Sequence, residues 1–374
     1  MAAFLTGCGG CFSCGGCGSS CGGSSSSKTL TRSNWFTGTS YNGIHQSFVK
    51  GSDEENEKNH FSPEIISYTV TYDKDSASNG FVELDYSNGH FKTEFYAVKN
   101  WSSRIESAIP EGYAHENSQE IVYYYKTTLT ISVKYTMKNS GASKDFDDEV
   151  TTESYFRAAG KSLQPVYSKQ VIKSTSPANY QPASLEDSYK EIAVTYENFY
   201  NNNCTKVLSV TYENGETSTK EYTKLNKIKD TLLDNSSLYI AARSMLKPNS
   251  SPSETVVLFS AAAGGTDKYT INGSGAQLTE SERADFTAKL SDEKVGLYKP
   301  TGENDEGVGA TAVSISYAGG NLHGTTQTVW YAAITNKDNN ISRSTMLKLS
   351  VPLSFNLGTL NYNLNEIEST LWNE

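Results

Sequence analysis

Thr128-Leu129-Thr130-Ile131-Ser132-Val133-Lys134-Tyr135-Thr136-Met137 alternates a large apolar residue with a polar one over its whole length. Successive side chains of a strand point to opposite faces, so this segment presents one greasy face and one wetted face. A helix would scatter the same residues round its circumference, so the segment is a strand. The same period recurs on both sides of it, beginning near Phe61. Residues 81–86 and 91–98 flank Asn88-Gly89, and residues 207–212 and 217–222 flank Asn214-Gly215. An Asn-Gly pair tolerates the positive φ angles of a type I′ turn, so both read as hairpins. Further strands are expected over 150–157, 166–174, 190–197, 255–260, 308–317, 325–335 and 343–351. Most connections are short, which favours antiparallel meanders over crossover units.

Two helices interrupt the pattern. Residues 230–245 carry Leu232, Leu233, Leu238, Ala241, Ala242 and Met245 as a one-sided stripe. Thr279 with Glu282 forms a capping box before a helix that runs to about residue 290. The expected fold is mainly β with a minor α component: a large, twisted antiparallel sheet with two helices packed on one face. No linker divides it, so residues 61–366 read as one β-rich domain and 367–374 as a tail.

Composition narrows the function. The 374 residues carry a formal net charge of −10 and no dense Lys/Arg cluster, which excludes a nucleic-acid partner. Aromatic residues are mostly tyrosine, 24 against 14 Phe and 4 Trp, a choice that suits half-buried sheet faces and clefts. No run of 18 apolar residues exists to span a membrane as a helix.

The amino terminus points to a location. Leu5-Thr6-Gly7-Cys8 has the form of a bacterial lipobox, in which small residues admit a peptidase and the thiol is alkylated by diacylglycerol. Met1 to Gly7 is too short for a secretory signal, and Ala2-Ala3-Phe4-Leu5 reads as the remnant of a signal peptide's apolar region. On this reading Cys8 is the lipid-attachment site. Residues 8–60 then form a flexible Gly/Ser/Cys-rich and later acidic tether, and the membrane is a partner through the lipid anchor. Cys11, Cys14, Cys17 and Cys21 match iron–sulfur ligand spacing, but Gly22 replaces the usual proline and only Phe12 offers shelter. A cluster or a zinc ion stands as the alternative to a tether, and no cofactor is expected. Cys204 has no general base beside it in sequence and reads as an inert thiol.

Catalytic motifs are missing. The five histidines, His45, His60, His90, His115 and His323, have no close His or Cys neighbour, and neither an HExxH nor a GxSxG pattern occurs. The glycine-rich stretches at 264–266 and 273–275 read as turns. The acidic run Asp145-Phe146-Asp147-Asp148-Glu149 lacks the spacing of a calcium loop and reads as a solvated loop. An enzyme is not expected.

The carboxy-terminal half carries a resemblance. Asp230, Ser237, Tyr239 and Arg243, then Val329-Trp330, Arg343, Pro352 and Leu357-Gly358-Thr359-Leu360-x-Tyr362-x-Leu364 occur in an order similar to a family of uncharacterised bacterial envelope proteins. Their sheet wraps round a helix, like the carriers of lipoproteins and lipids in the Lol system. Ser154-Tyr155-Phe156-Arg157 and Leu163-Gln164-Pro165-Val166 resemble that family's early strands, so the likeness covers roughly residues 120–364. An additional strand pair before residue 100 and a longer insertion at 260–307 depart from it. The resemblance implies a β half-barrel with a cleft for an apolar small molecule or an envelope protein. Tyr123, Tyr124, Tyr125, Leu129 and Ile131 are candidate lining residues, or simply core. Arg243 reads as a structural ion-pairing residue, reaching Asp230 or Asp234 only if the chain folds back, or else a sheet carboxylate across the core; the alternative is a ligand contact. The expected role is that of an extracytoplasmic, lipid-anchored lipoprotein of the bacterial envelope. The alternative is a structural or adhesive surface module that recognises glycan or protein through exposed tyrosines, without a cavity.

Overall fold

The computed structural model describes residues 64–74, 81–98, 122–159, 162–173, 189–200, 203–222, 231–233, 237–244, 253–259, 266–292, 306–317, 326–336, 341–353 and 357–369. The lipobox with Cys8, the cysteines that follow it and the acidic stretch 51–60 lie outside them.

The chain forms one 15-stranded sheet. Its first half comprises β1 (Glu64–Asp73), β2 (Val82–Val98), β3 (Val122–Met137), β4 (Ser143–Ala159), β5 (Ser162–Lys173), β6 (Tyr189–Tyr200), β7 (Asn203–Tyr212) and β8 (Thr217–Tyr222). The second half comprises β9 (Thr231–Leu233), helix α1 (Ser237–Ser244), β10 (Ser253–Phe259), β11 (Thr266–Ser274), helix α2 (Glu280–Ser291), β12 (Thr311–Tyr317), β13 (Thr326–Asn336), β14 (Ile341–Pro352) and β15 (Thr359–Ser369). Every sequential pair of strands is hydrogen-bonded except β8 and β9, and β1 pairs with β15. The chain therefore starts in the middle of the sheet and meanders to one edge at β8. It reappears at the other edge as β9 and meanders back to its own beginning. All pairings are antiparallel apart from β9 with β10.

Register defines the faces. Ile66, Tyr68 and Val70 of β1 share a face with Phe91, Thr93 and Phe95 of β2 and with Tyr125, Thr127 and Leu129 of β3. Through Val70↔Tyr362 and Leu349↔Tyr362 the same face continues across β15 and β14, and through Val329↔Leu349 onto β13. All of these are buried, and all but Thr93 and Thr127 belong to one hydrophobic cluster. The sheet curls round this face, since β9, at one edge, also lies against β5, well inside the other half. β5 itself pairs with β4 along its whole length and with β6 over Ser168–Lys173.

Both helices pack on the sheet, from opposite sides. Leu238, Tyr239, Ile240 and Ala242 of α1 are all buried, a span of more than half the helix circumference. The Tyr239 hydroxyl donates to Gln327 Oε1 (3.1 Å), the Tyr331 hydroxyl donates to the Tyr239 carbonyl (2.9 Å), and Arg243 reaches Glu64 of β1. All three partners lie on the inner face. α2 instead contacts the outer face, where Glu282 pairs with Lys348 and Lys289 donates to the Leu364 carbonyl (2.6 Å). Its capping box is formed: Glu282 N donates to Thr279 Oγ1 (3.2 Å), and Thr279 N donates to Glu282 Oε2 (2.8 Å).

Three local readings change. Asn214-Gly215 does turn a hairpin, but with three residues between the Tyr212 and Glu216 pair and a positive φ only at Gly215 (85°), the geometry of a bulged turn. Asn88-Gly89 does not turn the chain. β2 runs straight through, and the two residues together oppose Ile131 alone, between Ser87↔Ser132 and His90↔Thr130. The positive φ of Asn88 (51°) serves a β-bulge. A Cβ at Gly89 would stand 2.6 Å from the Val70 carbonyl oxygen, which is why glycine occupies the position. Lastly, the stripe at 230–245 divides: among its described residues, Thr231–Leu233 pairs with β10 and Ser237–Ser244 is helical. A Leu-Leu pair suits a buried strand as well as a helix, and edge pairing decides between them.

Candidate functional site

The inner face of the first half is laid out in rows by register. One row reads Tyr68, Phe91, Leu129, Val150, Ile172, Ile192 across β1 to β6, apolar but for the one phenol. The next reads Ile66, Thr93, Thr127, Thr152, Gln170, Val194, with four consecutive polar residues on β2 to β5. The row beyond holds Glu64, Phe95, Tyr125, Ser154 and Ser168, and continues through Tyr196 to Lys206 of β7. Ser154 and Lys206 have no exposed surface at all. The polar residues are two rows deep on β4 and β5, where Thr152 and Gln170 lie beside Ser154 and Ser168, next to the apolar row.

Buried polar groups require partners, and most of these have them. Gln170 Nε2 donates to Thr152 Oγ1 (3.3 Å), and the Ser154 and Ser168 hydroxyls lie 3.3 Å apart. Gln170 Oε1 has none. Neither do the hydroxyls of Tyr86 and Tyr362, nor Trp330 Nε1. A buried polar atom without a partner costs about 1–3 kcal/mol, so each is a place where another group would be welcome.

At the end of the last row stands an ion pair. Arg243 Nη2 donates to Glu64 Oε1 at 2.6 Å, with side chains 9% and 2% exposed. Burial alone would lower the Arg243 pKa, but the Glu64 carboxylate reverses this and holds it above its ordinary value. The guanidinium stays charged. Around it burial pushes the phenols of Tyr68, Tyr125 and Tyr331 upward, as it does those of Tyr86, Tyr239 and Tyr362. All six are neutral hydrogen-bonding groups at physiological pH.

The residues expected from sequence are placed as follows. Tyr125, Leu129 and Ile131 face the interior and are buried in the cluster around α1. Arg243 finds its carboxylate across the core, on β1. Tyr124 faces outward, its hydroxyl 3.3 Å from Glu153 Oε1 and its ring 4.8 Å from that of Tyr155. The backbone of Tyr123 lies in β3, paired with Phe156, while its side chain is outside the described residues. Cys8 is likewise outside them. The acidic run 145–149 is part of β4 rather than a loop: Asp145 and Asp147 are exposed, Asp147 accepts from Ser132 Oγ (2.8 Å), and Asp148 is buried inward. Among the described residues no group of His, Cys, Asp and Glu could hold a metal ion. Glu64, Gln170 and Lys206 were not singled out by sequence reading, and Asp148 only as part of an acidic run read as a solvated loop. Glu64 sits at the onset of the β pattern, and the others differ in no visible way from residues on the wet face of a strand.

No family model and no curated protein matches the chain. Among solved structures, it is similar to a β-barrel-like protein of a domain of unknown function, DUF1849, from Brucella abortus. That likeness has 10% identity and a TM-score of 0.42, over 83% of this chain and 98% of the other.

Proposed function

We propose that the chain is an extracytoplasmic bacterial lipoprotein, anchored through Cys8, whose curled sheet binds an amphiphilic small molecule on its inner face. The observation that carries the ligand reading is the two-tone interior: the row Phe91, Leu129, Val150, Ile172 lies directly beside Thr93, Thr127, Thr152, Gln170. A purely structural core has no use for the second row, because each buried hydroxyl or amide must recover the hydrogen bonds it loses to water. An amphiphile matches both rows, its apolar body on one and its polar group on the other, where Gln170 Oε1 offers a vacant acceptor. The lipobox supports the location, and the tether would hold the sheet clear of the bilayer.

The test is mass spectrometry of the full-length protein purified from its membrane. A diacylated Cys8 at the mature amino terminus and a co-purifying lipid released by organic solvent are expected. An unmodified amino terminus removes the anchor. Absence of any extractable amphiphile, with no saturable uptake of a fluorescent fatty acid, removes the ligand. A second reading, recognition by the outer surface, draws on the outward, half-buried pair Tyr124 and Tyr155, whose rings lie 4.8 Å apart. Tyr124→Ala with Tyr155→Ala would then abolish adhesion to glycan or protein while leaving lipid content unchanged.

A further inference from the structure

The interior tyrosines differ in what their hydroxyls do. Those of Tyr68, Tyr72 and Tyr331 donate to the backbone carbonyls of Met346, Leu357 and Tyr239, and that of Tyr239 donates to Gln327. Those of Tyr86 and Tyr362, on residues 8% and 1% exposed, have no partner. Phenylalanine would fill the same space without burying an unsatisfied hydroxyl, so the two oxygens call for a use. They share one region of the inner face. Tyr362 of β15 is opposite Val70 of β1, and Val70 is opposite Gly89, where the bulge leaves β2 without a side chain. Tyr86 is the next inward residue of β2 on the far side of that bulge. The Tyr362 ring lies edge-on to Phe91 (5.2 Å) on one side of Gly89, and the Tyr86 ring lies edge-on to Tyr72 (5.1 Å) on the other. Asp148 of β4 faces inward opposite Ile131, the residue that the bulge straddles. After burial, the groups that raise the Tyr86 phenol are this carboxylate and the hydroxyls of Tyr72 and Tyr362.

Register sets this group against the polar row of Thr93, Thr127, Thr152 and Gln170. The inward residues of β3 run Thr127, Leu129, Ile131, Val133; Thr152 and Gln170 are level with Thr127, and Tyr86 is level with Val133. Six residues of strand separate the two levels, about 20 Å. Phe91, Leu129, Ile131, Val150 and Ile172 hold the interval.

We propose that the inner face takes a ligand with two polar ends: a long apolar chain whose head group lies on the row of Thr152 and Gln170, and whose far end carries a neutral hydroxyl or carbonyl held by Tyr86 and Tyr362. This rests on the ligand reading and adds a second polar group to it. A phenol donates to either kind of oxygen. The buried Asp148 carboxylate beside the phenols opposes an anion at that end, so the far group is neutral. An interval of about 20 Å is more than half the ~30 Å hydrocarbon thickness that two acyl chains span end to end, so it suits one long acyl chain.

Displacement of a fluorescent fatty acid from the full-length protein tests this with hexadecanoic acid and ω-hydroxyhexadecanoic acid. The hydroxy acid should bind about tenfold more tightly, the worth of one good hydrogen bond in a desolvated site. Tyr86→Phe combined with Tyr362→Phe keeps the packing and should bring the two affinities to within about a factor of two. Equal binding of the two acids to the unaltered protein overturns the proposal, and so does a preference that survives the double replacement. The two readings fail separately. If neither acid nor the fluorescent probe binds, the ligand reading falls and the far-end group with it; if both acids bind equally, the ligand reading stands and only the far-end group is lost.

Discussion

The two halves of the sheet solve the burial problem differently. In β12 to β15 both faces are covered. Ile315, Val329, Leu349 and Leu360 point inward, while Ala312, Trp330 and Ala332, of opposite parity, are buried on the outer side that α2 overlies. In β2 to β5 the inner face is covered, while among the described residues the outer face is mostly half-buried or exposed, with Tyr167 the exception. The outer face carries Glu94, Lys126, Glu153 and Lys169 directly opposite one another, an alternating ladder of charge open to water. The inner face of the same strands is where polar residues accumulate. A strand buried on two sides must be apolar on both and works as scaffold. One buried on a single side, with polar residues facing in, is free to carry a site.

Substitutions in each half should widen or erase that contrast. The largest effect is expected where the halves are tied together. Arg243→Leu leaves the Glu64 carboxylate buried without its cation and should cost about 3–5 kcal/mol in urea unfolding, while the double replacement Glu64→Leu with Arg243→Leu should restore most of the loss. Full loss in the double variant as well would mean that packing, and not charge, is what matters there. Within the scaffold half, Leu349→Ala should cost about 2–5 kcal/mol through the cavity it opens. In the polar half, Thr152→Val removes the acceptor of Gln170 Nε2 while keeping shape, and about 1–3 kcal/mol is expected. If Thr152→Val costs as much as Leu349→Ala, the two halves do not differ as described.

Alkaline pH tests the buried phenols of both halves. Tyr68, Tyr86 and Tyr125 in the first half, and Tyr331 and Tyr362 in the second, have folded-state pKa values raised by burial above the value near 10 of an unfolded chain. Their contribution is complete below that unfolded value and is lost as pH rises past it, because the unfolded chain then gives up protons that the folded one keeps. Stability should fall above about pH 10, by up to about 1.4 kcal/mol per pH unit for each such group, with phenolate absorbance appearing together with unfolding. Phenolate signal from these residues in the folded state would mean an interior open to hydroxide. The smallest effect belongs to the outer ladder: Lys126→Ala should change stability by no more than about 0.5 kcal/mol.

Which parts were legible follows from what each pattern encodes. Leu129, Ile131 and Val133 declare their strand because period two is a local property, and Thr279 with Glu282 declares a helix start because the cap is made within four residues. Asn88-Gly89 misleads because the same permissive backbone serves a turn and a bulge, and the choice lies in the neighbouring strands β1 and β3. Residues 230–245 mislead because β10, which claims Thr231–Leu233, comes later in the chain. Among its described side chains β11 carries only Tyr269 and Ile271 as buried apolar residues, between glycine-rich stretches, too short an alternation to announce itself. The polar row was illegible for a different reason. Thr93, Thr127, Thr152 and Gln170 are far apart in sequence, and threonine is at home on either face of a strand.

By itself the amino-acid order determined that the chain is built of alternating strands, where many of them lie, how α2 begins, and that Arg243 would need a carboxylate. These are consequences of side-chain periodicity and of bonds reaching only a few residues. The tertiary structure alone decided that Glu64, 179 positions away, is that carboxylate, that α1 lies on the inner face while α2 lies on the outer one, and that, among the described residues, the meander joins at β1 and β15 but not at β8 and β9. Strand order and register are settled by contacts between distant segments, whose balance of burial and hydrogen bonding no local pattern records.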